Sequence, residues 1–258
     1  MGKTMLNEIP FSSFIDQINL DEKAKGIILS SPLTHDEISR GYEAIIKDED
    51  IPDAERALRV VASAAYEITF PEYRKRGISD DIAIATLSDI ARWEEEYERT
   101  HEGKPGLSEI RWLKYHLQLQ LFALGSLQYQ LLPEEDGIFT LNLHIPKDSD
   151  ISLPSVLSSF EKARQFFKKD KMKIKCFSWL LSDELSSLLD DSSRIKAFSS
   201  LFTKVSSDYG RRQAEERIFG HLEDNPENYE AETSLAAKAR EYLMKGGKLP
   251  VTSGFLII

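Results

Sequence analysis

IFTLNLHIP, residues 138–146, and MKIKCFSWLLS, residues 172–182, decide the fold. In the first stretch Phe139, Leu141, Leu143 and Ile145 alternate with Thr140, Asn142 and His144, the period of a strand with one face on a core and the other on something polar. Between the two lies SLPSVLSSFEKARQFFKK, residues 152–169, where Leu153, Val156, Leu157, Phe160, Ala163 and Phe167 recur at helical spacing. Strand, crossover helix and strand predict a right-handed βαβ unit with two parallel strands. Upstream, SLQYQLL (126–132) is separated from the first strand by PEEDG (133–137), five turn-forming residues, which predicts a β-hairpin.

Working outward, FTKVSSDYG (202–210) reads as a further strand, RRQAEERIFG (211–220) and SLAAKAREYLMKGG (234–247) as helices, and GFLII (254–258) as a strand closing a sheet edge. Residues 33–99 are helical in pattern throughout. LTHDEISRGYEAIIKD (33–48) opens with Thr34 three residues before Glu37, a capping box in which each side chain satisfies an orphan donor of the first turn. Ala57, Val60, Val61, Ala64 and Ala65 form one apolar stripe, and SDDIAIATLSDIARWEEEYERT (79–100) reads as a helix capped by Ser79, with Ile82, Leu87, Ile90 and Trp93 inward. Its acidic run WEEEYE (93–98) is expected on a solvated face. HEGKPGL (101–107) breaks the pattern, and SEIRWLKYHLQLQLFALG (108–125) begins as a helix that Gly125 closes as a C-cap. The expected architecture is α+β: a helical N-terminal domain over residues 1–106, then a mixed-sheet α/β domain over 107–258.

Composition narrows the function classes. The 258 residues are 41% apolar and 29% charged, the balance of a globular chain able to bury a sizeable core. Forty-three acidic against 33 basic side chains give a net charge of −10, and the basic ones are scattered, which argues against nucleic acid as a partner. One cysteine excludes an internal disulfide framework or a cysteine-based zinc cluster. The opening MGKTMLNEIPFSSF has no apolar signal region, and no run nears the roughly 18 apolar residues of a membrane span, so a cytoplasmic protein without a membrane partner is expected.

Chemistry is best sought where the parallel strands end, since the helix after such a strand aims free N–H groups at that edge. His144 stands there. Ser178 and Cys176 lie on the neighbouring strand and share a face with His144 if the register allows. Cys176 reads either as a nucleophile or as a small buried hydrophobe, and a strand interior lacks the cation or helix N-terminus that would activate it. The five histidines show no metal-ligand spacing, so no metal is expected. Dinucleotide, P-loop, serine-hydrolase and zincin motifs are all missing.

WLKYHLQLQLFALGSLQYQ (112–130), LNLHIP (141–146), CFSWLL (176–181), LLDDSSRIKAF (188–198) and TSLAAKAREYLMKGG (233–247) occur in an order that resembles a two-part acyltransferase family. That family joins a helical N-acyltransferase N-terminal domain to a GNAT-like C-terminal domain. The resemblance implies transfer of an acyl group from acyl-CoA, or another acyl carrier, to a small-molecule amine or hydroxyl. It implies His144 as the base with Ser178 as its polar neighbour, and Gln128, Asn142, Trp179, Ser193 and Arg194 around the substrate. One departure stands out: the loop in LHIPKDSDISLPSVL (143–157), where the fold places a glycine-rich pyrophosphate cradle, has no glycine and carries Asp148 and Asp150. A second reading follows from it, a non-catalytic module that keeps the scaffold and binds a ligand or partner.

Overall fold

Asp21, Thr34, Asp53, Ser182 and Thr233 cap the helices they precede in this computed structural model, which describes residues 9–147 and 149–258; readings of MGKTMLNE and of Asp148 lie outside the described residues. The chain divides into two units, Met1–Ala123 and Leu124–Ile258.

The first unit runs through α1 (Phe11–Gln17), α2 (Glu22–Ser30), α3 (His35–Ile46), α4 (Ala54–Ala64), α5 (Phe70–Lys75), α6 (Asp80–Leu87), α7 (Asp89–Thr100) and α8 (Ile110–Leu117). The capping box forms as read: Thr34 N–H donates to Glu37 Oε2 at 2.9 Å, and Thr34 Oγ1 accepts from Glu37 N–H. The Ala57, Val60, Val61, Ala64 and Ala65 stripe is buried throughout. Between α4 and α5 the helix widens to a π turn over Ala65–Thr69. Pro71 gives the reason, since its ring crowds the preceding turn and it has no N–H to donate there.

Three expectations are corrected here. Residues 79–100 form two helices, because Thr86 and Ser88 turn their hydroxyls back onto the carbonyls of Ile82 and Ile84 at 2.7 and 2.8 Å and interrupt the run. Ser79 makes no side-chain cap. The helix after residue 108 stops at Leu117, and the chain passes through a left-handed Leu119 into strand β1 (Leu121–Leu124). Gly125 is therefore a turn residue, φ +80°, joining β1 to β2 (Leu127–Leu131).

The second unit continues with β3 (Phe139–His144), α9 (Leu153–Phe167), β4 (Met172–Ser178), a 3₁₀ turn (Trp179–Leu181), α10 (Asp183–Ser187), α11 (Arg194–Ser199), β5 (Thr203–Asp208), α12 (Gln213–Phe219), α13 (Ser234–Met244) and β6 (Val251–Ile257). The six strands lie in the order β1-β2-β3-β4-β6-β5. β2 and β3 are the antiparallel hairpin read from PEEDG, and β3 and β4 are the expected parallel pair. β6 lies between β4 and β5, antiparallel to both, so the final GFLII is interior and not the sheet edge expected of it. The edge on this side is β5, whose bulge between Lys204 and Ser206 and exposure at every residue but Lys204 mark a strand unsuited to further pairing.

One face of this sheet is the core. Leu141, Leu143, Ile174 and Cys176 are buried on it, beneath Val156, Phe160 and Ala163 of α9. Ser159 adds a polar tie from α9, meeting Tyr129 Oη at 2.9 Å and donating to the Leu124 carbonyl. A Cβ on Gly125 would stand 3.2 Å from the Ser159 backbone, so the turn needs glycine for its closeness as well as its φ. Among the described residues no helix is long and apolar enough to cross a membrane.

Candidate functional site

The strand register builds the site. Gln128 lies opposite His144 and Gln130 opposite Asn142 in the antiparallel β2–β3 ladder, so all four side chains project from one face. Asn142 aligns with Lys175 of β4 and Thr140 with Lys173, which carries the polar face onto the next strand. Gln130 Oε1 lies 2.9 Å from His144 Nε2, and Asn142 Nδ2 lies 3.0 Å from the same nitrogen. Asn142 Nδ2 also donates to Gln130 Oε1 at 3.3 Å, closing a triangle around the imidazole. At the far end of the face, Glu135 accepts from Lys173 at 2.9 Å and from Lys175 at 2.6 Å. The Lys175 hydrogen bond, then that of Lys173, holds the Glu135 carboxyl below the usual carboxylate range.

The register also separates groups that the sequence left joinable. Leu143 pairs with Cys176, so Cys176 and Ser178 project from the core face while His144 projects from the other. Ser178 Oγ instead accepts from Leu180 N–H at 3.2 Å and caps the 3₁₀ turn. Cys176 is 2% exposed, and burial pushes its thiol up to about 12. Trp179 lies on the turn rather than the strand and packs against the cluster of Leu185, Ala214, Tyr229, Ala239 and Leu243. Its N–H donates to Gln213 Oε1 at 3.2 Å.

Beyond the strand ends the geometry changes. The β3–β4 ladder stops at Leu143–Cys176, whereas β3 pairs with β2 as far as His144 and β4 pairs with β6 as far as Ser178. The ladder between the two parallel strands thus ends one residue before β3 does and two before β4 does, each strand still paired on its outer side. The following loop leads to α9, a helix of 15 residues whose N-cap Ser152 makes no side-chain cap. Ser152 instead donates both its N–H and its hydroxyl to Asp150 at 2.9 Å. These bonds, first from the backbone and then from the hydroxyl, lower the Asp150 pKa, with Arg194 adding its charge. Arg194 Nη1 reaches Asp150 Oδ1 at 3.5 Å, which brings the start of α11 to this loop. Neighbouring Ser193 lines a shallow depression of about 200 Å³ with Leu189, Asp190, Ser234 and Lys238.

Of the residues singled out from sequence, Gln128, Asn142 and His144 therefore share one face. Ser178 and Trp179 do not join them, Arg194 reaches the loop before α9, and Ser193 lines the depression beside Ser234 and Lys238. Gln130 was missed. Its signal was present in the hairpin, because alternation puts 128 and 130 on the same face as the polar residues of the paired strand.

Comparison with known proteins adds to this geometry. The family model described as GNAT-like C-terminal domain matches residues 121–256, and that described as N-acyltransferase N-terminal domain matches residues 32–119. Among curated proteins no sequence matches. The structure is similar to that of an acyltransferase in complex with decanoyl-CoA and teicoplanin, with a TM-score of 0.77 and 20% identity, over 95% of this chain and 86% of that one. It is also similar to an acyltransferase in complex with CoA and 10C-teicoplanin, with a TM-score of 0.76, the same 20% identity and the same coverage. At that identity the likeness is one of fold, a helical region followed by a mixed six-stranded sheet.

Proposed function

Because the chain belongs to the family that joins an N-acyltransferase N-terminal domain to a GNAT-like C-terminal domain, we propose that it transfers an acyl group from acyl-CoA to an amine or hydroxyl of a small-molecule acceptor. The observation that carries this reading is the end of the β3–β4 pairing at Leu143–Cys176, before either strand ends. Where two parallel strands stop pairing, their free backbone edges can accept an extended, amide-bearing chain, much as an added strand would be accepted. Acyl-CoA has such a chain in its pantetheine arm, and it supplies an acyl group already activated as a thioester.

Support for a phosphate end is of a different kind from a glycine-rich cradle. The loop Ile145–Ser152 has no glycine, and among its described residues none has positive φ. It does lead into an uncapped helix, where the N–H groups of Leu153 and Ser155 face the incoming end, and it has Arg194 beside it. Asp150 is engaged by Ser152 and Arg194, which tempers the repulsion its charge alone would cause. Diphosphate would be held by helix N–H groups and a guanidinium rather than by close backbone contact.

His144 takes the proton of the attacking amine or hydroxyl in this mechanism. Gln130 Oε1 accepts from the ring at Nε2, fixing its plane and stabilising the imidazolium as it forms, and Asn142 Nδ2, beside the same nitrogen, donates to that Gln130 oxygen and holds it in place. Gln128, buried opposite His144, supports the same face. Ser178 and Cys176 take no part in proton transfer.

Calorimetric titration of the whole chain with decanoyl-CoA and with CoA tests the reading, followed by turnover assays against an amine panel. Saturable binding with release of free thiol supports it. No heat at millimolar acyl-CoA would remove the coenzyme from the mechanism.

A further inference from the structure

The acidic run WEEEYE is not wholly the solvated face it was expected to be. Glu94, its second residue, is 2% exposed, and its Oε1 has no hydrogen-bond partner among the described residues. A buried ionised carboxylate without a partner is costly, so it either takes up a proton or meets a cation. Two further carboxylates stand beside it. Asp21, Glu94 and Glu98 each offer an oxygen within 4.8 Å of the others. Glu94 and Glu98 are one turn apart on α7, and Asp21 is the N-cap of α2, using Oδ1 to accept from Ala24 N–H at 2.7 Å and leaving Oδ2 to serve a ligand. Burial, then the charges of Asp21 and Glu98, push the Glu94 carboxyl up to about 7.

Lys23 gives the local charge balance. Its ammonium donates to Glu98 Oε1 at 2.6 Å and to the Gly103 carbonyl, and among the described residues it makes no hydrogen bond to Glu94 or Asp21. One cation thus answers three carboxylates and bonds only Glu98, leaving Asp21 and the deeply buried Glu94 untouched.

We propose that Asp21, Glu94 and Glu98 form a binding site for a divalent cation of calcium's size, joining the start of α2 to the middle of α7. Oxygens that share one such ion at 2.3–2.6 Å stand at most about 5 Å apart, a limit the three carboxylates meet, and calcium accepts an irregular oxygen set whereas magnesium demands a near-ideal octahedron. The ion displaces the Lys23 ammonium from Glu98, and the carbonyl of Gly103, released by the same movement, is a further hard oxygen at the rim. Three charged ligands from two helices make the ion a clamp within the helical unit, independent of the acyl-transfer chemistry.

The test is titration of calcium chloride into chelator-treated full-length protein at neutral pH, with thermal melts recorded with and without calcium. Saturable one-to-one binding and a raised melting temperature are expected. Glu94→Gln keeps the shape and removes the charge, and it should weaken binding at least about tenfold. Lys23→Met removes the competing ammonium and should tighten it. Magnesium at the same concentration should bind more weakly. No calcium binding to the wild-type chain, or equal binding by a folded Glu94→Gln variant, overturns the proposal. If Glu94→Gln fails to fold, an affinity unchanged by Lys23→Met does so instead.

Discussion

Asp89 and His116 face each other at 3.0 Å in the helical unit, with side chains only 5% and 1% exposed. Burial by itself would raise the Asp89 pKa. The contact with His116, then the hydrogen bonds from Arg92 at 2.6 Å and Trp112 at 3.0 Å, outweigh that and hold the carboxyl well below the usual range. Trp93 donates to the same carboxylate at 3.3 Å, so α7 and α8 converge on one charge. Asp89→Asn leaves these donors without their anion and should cost about 3–5 kcal/mol, read by urea denaturation. The linkage has a sign: a depressed carboxyl contributes stability above its ordinary pKa of about 4 that is lost as pH falls, so the variant should show a flatter acid limb than wild type.

His144→Ala should lower kcat for acyl transfer by about a hundredfold or more while leaving acyl-CoA affinity and melting temperature close to wild type. Gln130→Leu removes an acceptor at 2.9 Å from the ring and should give a smaller loss with a shifted pH profile. Both are read by steady-state kinetics across pH. Unchanged turnover in His144→Ala would assign the base elsewhere.

Cys176 offers a sharp contrast. With the thiol pushed up to about 12 by burial, thiolate is scarce at neutral pH, so an alkylating reagent should label the denatured chain and not the native one. Cys176→Ala should keep full activity and cost about 1 kcal/mol in packing. Mass spectrometry of the labelled protein and a melt of the variant check both statements.

How far the sequence carries can be seen at these same strands. Alternation from Phe139 to Ile145 announces β3, and helical spacing from Leu153 to Phe167 announces the crossover, because both are local patterns. Which face of β4 meets which face of β3 is another matter. It depends on where α9 returns the chain, and the pairing of Leu143 with Cys176 turns Ser178 away from His144. The place of β6 inside the sheet is a long-range pairing of the same kind. Glu94 was hidden for a different reason: in a run of acids nothing local distinguishes the side chain that the fold buries. Gln130, by contrast, was legible from the hairpin and was passed over.

Arg194→Ala tests the loop before α9. The Arg194–Asp150 pair is exposed, with a 3.5 Å separation, and such pairs contribute about 0–1 kcal/mol. Stability should therefore hardly move. The KM for acyl-CoA should rise about three- to tenfold, the worth of one hydrogen-bonding partner, with kcat preserved. A fall in kcat without a change in KM would separate Arg194 from coenzyme binding.

Glu94 carries the last prediction, because its proton is linked to folding. In the unfolded chain the carboxyl titrates at its ordinary 4.5, and in the folded chain at about 7. Between those values the folded state holds a proton that the unfolded state has released, so unfolding releases it and stability falls as pH rises through the window. Below about pH 4.5 both states are protonated and the group is neutral in effect; above about 7 both are ionised and the full penalty of the buried charge is present, up to about 3 kcal/mol. Asp21, Glu95 and Glu98 add repulsion to that penalty and Lys23 offsets part of it. Chemical denaturation of wild type and Glu94→Gln in calcium-free buffer, at intervals from pH 5 to 8, isolates the term: the stability difference between them should move steadily in favour of the variant as pH rises. A difference independent of pH would mean that Glu94 is already ionised at the bottom of the range and that burial costs it nothing.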